Sequence, residues 1–585
     1  MAVISESLDR TTDWAGQVAN HLEDLSLRQR EAWPEGIPRS VTYPLGEIGI
    51  SEHVRVRARK HPDRAAIEFY GTTVTYGELD DLSDRVVTWL RSSGVRPGER
   101  VGVALPNCPQ FIILMIGILK AGAIHVPINP MFKDGELEHE LSDAGICLVV
   151  GAGDVVERIE RIRQSGLTHI RRVTTVEVED FLPLVPALSW PSQMREGERR
   201  RVSPAWSEIV AGPRAPVEDC DLDAVAVLNY TGGTTGLPKG CEHTQRNMIY
   251  AAVNCARTWG VAESQESVHV VLSYTPIFWI SGENTGILVP LVTGATVVLL
   301  TRWDADTVLQ AIERYGVTAM NGTVDNYVEL MERPSFPHRS LSTLIHGRAM
   351  SFVQRLTPQI RASWKRALGN SVELREGSYG MTESHTANTF TRGFDLGDQD
   401  LLSEPVFCGL PVPGTAFMIV DSESRMPLPL GEVGEIALRS PSLFTGYWQA
   451  AGATAACVRD GWLFTGDTGS ISEDGCLHYL GRRKEMIKVN GMSVFPSEVE
   501  VLLTRHPDIE AAAVIPVDDL KVGQRPYAFV QLVAGAHLDA AAVTEWARGQ
   551  MAPYKVPIVQ IDAKLPVTST GKINKKFLRA TEAAR

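Results

Sequence analysis

The sequence predicts an α/β protein with two domains, a large N-terminal domain of α/β subdomains over residues 1–482 and a small α+β domain over residues 483–585. A chain of 585 residues is too long for one hydrophobic core, so at least two domains are expected. From Ile48 to Val150 strand-like and helix-like patterns alternate, which favours a largely parallel sheet. After Arg482 the pattern changes to a shorter set of strands and helices.

The large domain carries its clearest alternation before residue 150. We expect strands at 65–70, 73–76, 100–105, 123–126 and 145–150, and helices at 54–60, 79–93 and 111–121. Residues 157–216 are charged and less regular, and we interpret them as a surface excursion. The uncharged run 284–301 predicts a buried helix, a stop at Gly294 and a buried strand. This run is shorter than the ~20 residues that span a bilayer, so no integral membrane segment is predicted.

The small domain has its own pattern. We expect strands at 486–489, 510–516 and 528–533, with helices at 496–505 and 539–551.

The composition narrows the classes of partner. The net charge of -13 disfavours nucleic acid and anionic membranes. The 8 cysteines contain no C-x-x-C pair, and nothing at Met1 resembles a signal peptide, which favours a cytoplasmic protein. The oligomeric state stays open, with a homodimer among the alternatives.

The segment from Tyr230 to Gly240 predicts a phosphate-binding loop. Its core consists of three threonines and three glycines, Thr231, Gly232, Gly233, Thr234, Thr235 and Gly236. Backbone N–H groups and hydroxyls in such a loop can approach an anion closely, and Lys239 adds a positive charge. It is not a Walker A loop, because Pro238 and Gly240 flank the lysine. The alternative is a Gly/Thr-rich surface turn, which needs only one or two glycines.

This loop resembles the phosphate-binding loop of the adenylate-forming enzymes. That superfamily includes acyl-CoA synthetases, coumarate-CoA ligases, luciferases and peptide-synthetase adenylation domains. The resemblance extends in order from Ile48 to Leu578. It implies that residues 1–482 form an AMP-binding (adenylation) domain and that residues 483–585 form a mobile domain, which rotates about a hinge at Lys484.

The segment Tyr379-Gly380-Met381-Thr382-Glu383-Ser384 is similar to the second core motif of the family. The resemblance places all of Tyr379–Thr382 in the nucleotide site, with Tyr379 against adenine and Thr382 at the α-phosphate. It also implies that Glu383 and Thr231 act catalytically and hold Mg²⁺. Taken alone, Thr-Glu could simply cap a helix.

Two further segments resemble nucleotide-binding motifs. In Trp462–Asp467 and Gly481–Glu485, the resemblance implies that Asp467 and Arg482 bind the ribose. Asp467 as a simple turn residue is the alternative. Gly347, Arg348 and Ala349 stand where the family has a small-residue turn against adenine. Arg348 and the following Met350 depart from that pattern.

Two lysines in the small domain match residues that the family uses in two successive poses. Lys572, which follows Gly571, resembles the lysine that meets the carboxylate and the α-phosphate in the first step. Lys488 and Gly491 match the residues that come to the site for CoA in the second step. Two residues depart from the family pattern there, since Asn490 replaces a frequent lysine and Ser493 replaces a frequent glutamine. A plain surface lysine is the alternative for Lys572.

The segment from Ser273 to Glu283 stands where the family lines its acyl pocket. The resemblance assigns Phe278, Trp279 and Gly282 to that pocket, and Trp279 replaces a frequent histidine. A large ring there would narrow or floor the pocket. The alternative for Trp279 is ordinary core packing.

The resemblance therefore implies an ATP-dependent acyl-CoA ligase. It would activate a fatty or aryl carboxylic acid as an acyl adenylate, with ATP, Mg²⁺ and CoA as cofactors and co-substrates. Three alternatives stay open: a ligase that loads the pantetheine of a carrier protein, a luciferase-like oxidase, and a non-catalytic nucleotide-sensing protein of the same fold.

Overall fold

The computed structural model describes residues 2–191, 204–216, 220–231, 237–261, 268–369, 372, 374–403, 406–490, 492–519, 521–568 and 571–583. Within these residues the chain forms four β-sheets with helices packed against them. The mixture of parallel sheets, antiparallel sheets and helices confirms the predicted α/β class with a small α+β unit at the C-terminal end.

The helices differ widely in length. They are α1 (Ala2–Ala32), α2 (Ile50–Lys60), α3 (Tyr76–Ser92), α4 (Pro109–Lys120), α5 (Asp134–Asp143), α6 (Asp154–Gln164), α7 (Pro204–Ile209), α8 (Gln245–Trp259), α9 (Ile280–Glu283), α10 (Val289–Thr293), α11 (Ala305–Tyr315), α12 (Val324–Glu332), α13 (Pro358–Ala367), α14 (Gln399–Leu402), α15 (Ala451–Cys457), α16 (Pro496–Leu503), α17 (Ala540–Gln550) and α18 (Lys575–Ala583).

The strands follow the same chain order. They are β1 (Ala65–Phe69), β2 (Thr72–Thr75), β3 (Arg100–Ala104), β4 (Ile124–Pro127), β5 (Leu148–Gly151), β6 (Arg172–Thr175), β7 (Val225–Tyr230), β8 (Gly240–Thr244), β9 (Val270–Ser273), β10 (Thr296–Leu299), β11 (Ala319–Thr323), β12 (His346–Met350), β13 (Leu374–Glu376), β14 (Thr389–Phe390), β15 (Val406–Pro411), β16 (Ala416–Val420), β17 (Gly434–Arg439), β18 (Gly446–Tyr447), β19 (Val458–Arg459), β20 (Trp462–Ile471), β21 (Leu477–Arg482), β22 (Ile487–Val489), β23 (Met492–Val494), β24 (Ile509–Asp519), β25 (Gly523–Leu532) and β26 (Ile558–Asp562).

Two sheets are largely parallel. The first has the order β13-β12-β11-β9-β10-β1-β2, and only β2 runs antiparallel to its neighbour. The second has the order β18-β8-β7-β4-β3-β5-β6, with β8 and β18 on its antiparallel side. Helix α4 is buried along its whole length against both sheets' core, because its sequence is apolar on every face.

The other two sheets lie later in the chain. The third, β14-β15-β21-β20-β17-β16 with β19 beside β20, is antiparallel. The fourth, β23-β22-β25-β24 with β26 beside β25, contains only strands that follow Arg482. A short helical turn at Arg483–Glu485 connects the third sheet to the fourth. The domain boundary at 482/483 stays a prediction.

Several local expectations hold. Residues 280–293 form one continuous helical stretch with a π-helical turn at Asn284–Leu288. Gly294, at φ +72°, ends it before the buried strand β10. Helix α8 begins at a capping box in which the Thr244 side chain accepts from the Asn247 N–H, so the helix starts directly after the phosphate-loop hairpin.

The interpretation of residues 157–216 as an irregular excursion is wrong in part. The segment contains most of α6, whose Ile159 and Ile162 are buried, and the strand β6 at the edge of the second sheet. The many charges on the exposed face of α6 masked its apolar stripe. Strands β23 and β26 and helix α18 were also missed. Among the described residues, no helix has the length and apolar character needed to cross a membrane.

Candidate active site

The predicted phosphate-binding loop, referred to below as the phosphate loop, connects the antiparallel strands β7 and β8. At its base, the Thr231 N–H donates to the Lys239 carbonyl at 3.0 Å, and the Lys239 N–H donates to Thr231 Oγ1 at 3.2 Å. The hairpin therefore holds Thr231 and Lys239 next to each other at the base of the loop. The other predicted loop residues, Gly232, Gly233, Thr234, Thr235 and Gly236, lie outside the described residues.

Tyr447 joins this hairpin to Glu383. The Lys239 ammonium lies 4.9 Å from the centre of the Tyr447 ring, and the Tyr447 hydroxyl donates to Glu383 Oε1 at 2.7 Å. Burial and the Glu383 charge raise the pKa of Tyr447, so the phenol keeps the proton that it donates. No described residue donates to Glu383 Oε2. No local sequence pattern indicates this role for Tyr447, which lies on the short strand β18 beside β8.

Strand β8 also fixes the position of Thr382. His243, on β8, makes a 2.8 Å hydrogen bond from Nε2 to the Thr382 carbonyl. Burial and His385 lower the pKa of His243 well below its ordinary value, so the ring is neutral and donates from Nε2. Gly380 lies so close to the following turn that a β-carbon would be 2.6 Å from the Ala387 nitrogen.

Asp467 is buried and contacts two predicted nucleotide residues. Its Oδ2 accepts from the Tyr379 hydroxyl at 2.7 Å, and its Oδ1 lies 2.8 Å from Arg482 Nε. The Arg482 contact lacks hydrogen-bond geometry, so Oδ1 is a buried oxygen without a hydrogen bond among the described residues. Burial raises the pKa of Asp467, although the Arg482 charge opposes the shift. Such an oxygen suits a ligand hydroxyl.

Lys572 approaches the same region from the small domain. Its ammonium lies 5.4 Å from the centre of the Phe352 ring. Partial loss of hydration and the Arg482 charge lower the pKa of Lys572, whereas the Asp467 carboxylate raises it. Lys572 keeps contact with solvent, so water screens these charges and moderates the shift. The structure therefore brings Lys572, Asp467 and Arg482 within electrostatic range of one another.

The predicted adenine turn borders a cavity. Gly347 and Arg348 lie on β12 and line a cavity of about 20 Å³ together with Trp259 and Ser378. Gly347 and Ala349 are buried, whereas Arg348 is partly exposed. Met381, also predicted to contact the nucleotide, is partly exposed.

The predicted acyl-pocket residues lie at the start of α9. Phe278 and Trp279 pack edge to face with ring centres 5.7 Å apart, and Trp279 contacts the main core. A β-carbon at Gly282 would overlap the Pro276 carbonyl, so close packing explains this glycine. None of the three lines the cavity beside Arg348. Their role in an acyl pocket stays a prediction.

Comparison with known proteins decides the family. The model described as AMP-binding enzyme matches residues 54–448, and that of the AMP-binding enzyme C-terminal domain matches residues 498–572. The chain belongs to the AMP-binding enzyme family. It is 30% identical to a long-chain-fatty-acid–CoA ligase of Bacillus subtilis, over 94% of this chain and 97% of the relative. It is 31% identical to a feruloyl-CoA synthase of Amycolatopsis sp, over 89% and 97% of the two chains.

Solved structures of similar proteins agree with this fold. ATP-bound MatB from Rhodopseudomonas palustris matches with a TM-score of 0.77 at 26% identity, over 91% of this chain and 99% of MatB. The anthranilate CoA ligase AuaEII, in complex with anthranoyl-AMP, matches with a TM-score of 0.76 at 25% identity, over 92% and 98% of the two chains.

In this AMP-binding enzyme the residues predicted for the second pose lie at the surface. Lys488, on β22, is exposed and donates to Ser493 Oγ at 2.8 Å. Lys484 is exposed in the turn between β21 and β22. Gly491 lies outside the described residues. The roles of Lys484 and Lys488 stay predictions.

A buried polar network behind the site was missed by the sequence analysis. Glu283 is fully buried, and its Oε2 accepts from Asn229 Nδ2 at 2.9 Å. Its Oε1 lies 3.4 Å from Nε2 of the equally buried His385. Asn229 is two residues before Thr231, and His385 is two residues after Glu383. The network therefore connects the phosphate loop, α9 and the second motif, a link that local sequence patterns do not reveal.

Proposed function

We propose that this protein is an ATP-dependent, AMP-forming acyl-CoA ligase for a fatty or aryl carboxylic acid. The observation that carries the proposal is the placement of Lys572, from the small domain, within range of Asp467 and Arg482 of the large domain. A cation delivered there by a separate domain suits a reaction in which negative charge develops on a phosphate. The family relatives that are CoA ligases support the same conclusion.

Asp467 and Arg482 would bind the ribose of ATP. The buried Oδ1 of Asp467 has no hydrogen bond among the described residues, and a ribose hydroxyl would supply one. The Tyr379 hydroxyl holds the other oxygen, which fixes the carboxylate. The Tyr379 ring and the backbone of Gly347 and Ala349 would then contact the adenine.

In the first half-reaction, an oxygen of the substrate carboxylate attacks the α-phosphorus of ATP. The bond from the α-phosphorus to the bridging oxygen breaks, and pyrophosphate leaves with that electron pair. Lys572 would stabilise the charge on the α-phosphate oxygens, while Thr382 donates a hydroxyl hydrogen bond. Thr231 and Lys239 would bind the departing phosphates from the loop.

The residues present fit a magnesium ion. Mg²⁺ is commonly held by one or two carboxylates together with substrate phosphates. Glu383 offers Oε2, to which no described residue donates, while Tyr447 fixes its other oxygen. Thr231 Oγ1 lies at the base of the phosphate loop. The ion would neutralise phosphate charge there when bound.

In the second half-reaction, the CoA thiol loses its proton to solvent and its sulfur attacks the acyl carbonyl carbon. The bond from that carbon to the phosphate oxygen breaks, and AMP leaves with the electron pair. We propose that the small domain turns about Lys484 and brings Lys488 and Gly491 to the site. The exposure of Lys484 and Lys488 supports this step, because neither side chain is held in a core. All eight cysteines are free, which suits a reducing cytoplasm.

Release of pyrophosphate tests the first half-reaction. Purified protein is mixed with ATP, Mg²⁺ and a panel of fatty, aryl and polar carboxylic acids. We expect acid-dependent release, and mass spectrometry with CoA should then detect a thioester. A thioester formed only with a carrier protein would favour the loading ligase, and an absence of release with every acid would contradict the proposed activity.

A further inference from the structure

Three arginines line the cavity beside the predicted adenine turn. Arg348 and Arg375 are directly paired on the parallel strands β12 and β13, and Arg392 completes the group. Like charges on directly paired residues destabilise a sheet, so packing does not explain why two arginines are paired here. Ionisable groups in unfavourable surroundings within a cleft mark it as a candidate functional site.

One arginine is neutralised. Arg375 Nε lies 2.9 Å from Asp395 Oδ1 in an ion pair. Glu376 is the only carboxylate among the described lining residues, and its oxygens accept from the Ser351 N–H at 3.0 Å and from the Ser351 hydroxyl at 2.5 Å. Glu376 keeps its charge but is bonded to Ser351 rather than to an arginine, and Arg348 and Arg392 make no ion pair among the described residues.

Those two arginines have only neutral partners among the described residues. Arg348 donates to Ser378 Oγ at 2.6 Å and to Cys255 Sγ at 3.2 Å. Arg392 donates to the Arg257 carbonyl at 3.1 Å. A guanidinium has five N–H donors, so both keep donors for a ligand.

The positive charges of these arginines affect the pKa values of neighbouring groups. Burial, His269 and the charges of Arg392 and Arg375 lower the pKa of His346 to about 4. Burial and Arg375 also lower the pKa of Arg392. An anion in the cavity would relieve both effects.

We infer that the acid activated by this enzyme carries a second anionic group, which Arg348 and Arg392 bind in this cavity. This inference assigns the Arg348 side chain to the acid rather than to adenine, and it leaves the backbone of Gly347 and Ala349 for the base. The inference rests on the proposed function and names its substrate class, a dicarboxylic acid or another acid with an anionic tail. About 20 Å³ holds one small group rather than a long chain. A hydrocarbon tail would shield the two guanidinium groups from water without supplying an opposite charge, whereas a carboxylate matches their planar donors.

Matched acids test the wild-type enzyme. Adipate is compared with hexanoate, and terephthalate with benzoate, by pyrophosphate release at saturating ATP and by the melting-temperature shift that each acid produces with ATP. We expect kcat/KM for the diacid to exceed that for the monoacid by roughly tenfold or more. Higher kcat/KM for both monoacids would overturn the inference but leave the proposed function in place.

Variants then identify the groups. Arg348→Gln and Arg392→Gln should each reduce the diacid-to-monoacid ratio by roughly tenfold or more, whereas Arg392→Lys keeps a cation and should keep part of the ratio. Arg366→Gln, at an exposed position on α13, is the matched control and should not change the ratio. An unchanged ratio in both Arg348→Gln and Arg392→Gln would overturn the inference.

The two proposals fail in different ways. If no acid causes pyrophosphate release, the proposed ligase activity is contradicted. The melting-temperature shifts then still test whether Arg348 and Arg392 bind an anionic tail. A larger shift with the diacids, lost in Arg392→Gln, would support tail binding. Equal shifts with diacids and monoacids would contradict it.

Discussion

Asp467 and Arg482 lie directly opposite each other on the antiparallel strands β20 and β21, and their side chains meet at 2.8 Å. The pairing orients a buried carboxylate whose Oδ1 keeps no hydrogen bond among the described residues. Replacing Asp467 with Asn keeps the shape but removes the charge and one acceptor. We expect KM for ATP to rise roughly five- to a hundredfold, which corresponds to about 1 to 3 kcal/mol, as measured by pyrophosphate release.

The melting temperature of Asp467→Asn distinguishes ribose binding by Asp467 from a purely structural role. Because burial raises the pKa of Asp467, the folded state binds a proton more tightly than the unfolded state. The free energy of unfolding therefore decreases as the pH rises from the pKa of Asp467 in the unfolded chain to its higher pKa in the folded protein. Asp467→Asn should melt no lower than wild type at neutral pH. A lower melting temperature with an unaltered KM for ATP would argue against ribose binding. Glu473→Ala, an exposed acid in the same hairpin, is the control.

Lys572→Ala should abolish formation of the adenylate and spare thioester formation from a supplied acyl adenylate. Only the first step needs a cation between carboxylate and α-phosphate. The two half-reactions are measured separately, by pyrophosphate release and by mass spectrometry of the thioester. Lys576→Ala, an exposed neighbour on α18, should behave as wild type. Equal loss in both half-reactions would rule out the assigned role.

Lys488→Ala should give the opposite pattern. We expect pyrophosphate release to continue for one turnover and the adenylate to accumulate, because the residue acts only in the second pose. The bound adenylate is measured by mass spectrometry after quenching. Lys521→Ala, also exposed in the small domain, is the matched control. Normal thioester turnover in Lys488→Ala would contradict the two-pose proposal.

Contacts between site residues can be predicted from the sequence when the residues lie close together in the chain. Asp467 and Arg482 belong to neighbouring strands of one hairpin, and their motifs indicate the contact. Tyr447 shows the limit, since it is 64 residues from Glu383 and joins it only through the pairing of β18 with β8. No local period or motif marks a tyrosine whose role depends on sheet order.

The same limit applies to the arginine cavity. Arg348 is visible in the sequence as a departure from a motif, but its pairing with Arg375 depends on the register of two strands. Arg392 reaches the cavity from a loop. The secondary structure of 284–301 was predictable because an apolar run and Gly294 dominate it. Helix α6 was not, because its charged face outweighs a three-residue buried stripe.

Gly282→Ala tests why α9 contains a glycine. A β-carbon there would overlap the backbone carbonyl of Pro276, so we expect a loss of roughly 1 to 3 kcal/mol. Gly452→Ala is the control, because it lies in α15 with open space around it and should stabilise the protein by about 0.4 to 1 kcal/mol. Denaturant unfolding measures both. Normal stability in Gly282→Ala would contradict the packing explanation.

Trp279 is partly buried at the start of α9, with its ring edge to face against Phe278. If it forms a wall of the acyl pocket, Trp279→Ala should enlarge the pocket and shift the preference towards longer or wider acids. KM for ATP should change little, because the nucleotide residues lie on other elements. The measurement is kcat/KM over a series of acids of increasing length, with the melting temperature of the same variant.

Core packing of Trp279 predicts a different result. Loss of a core tryptophan costs roughly 3 to 5 kcal/mol and lowers activity on every acid alike. Trp364→Ala supplies that reference, because Trp364 is fully buried in the same core cluster and far in the chain from α9. A shifted length profile in Trp279→Ala, with a smaller melting loss than in Trp364→Ala, would support the pocket wall. A flat profile with an equal melting loss would assign Trp279 to the core.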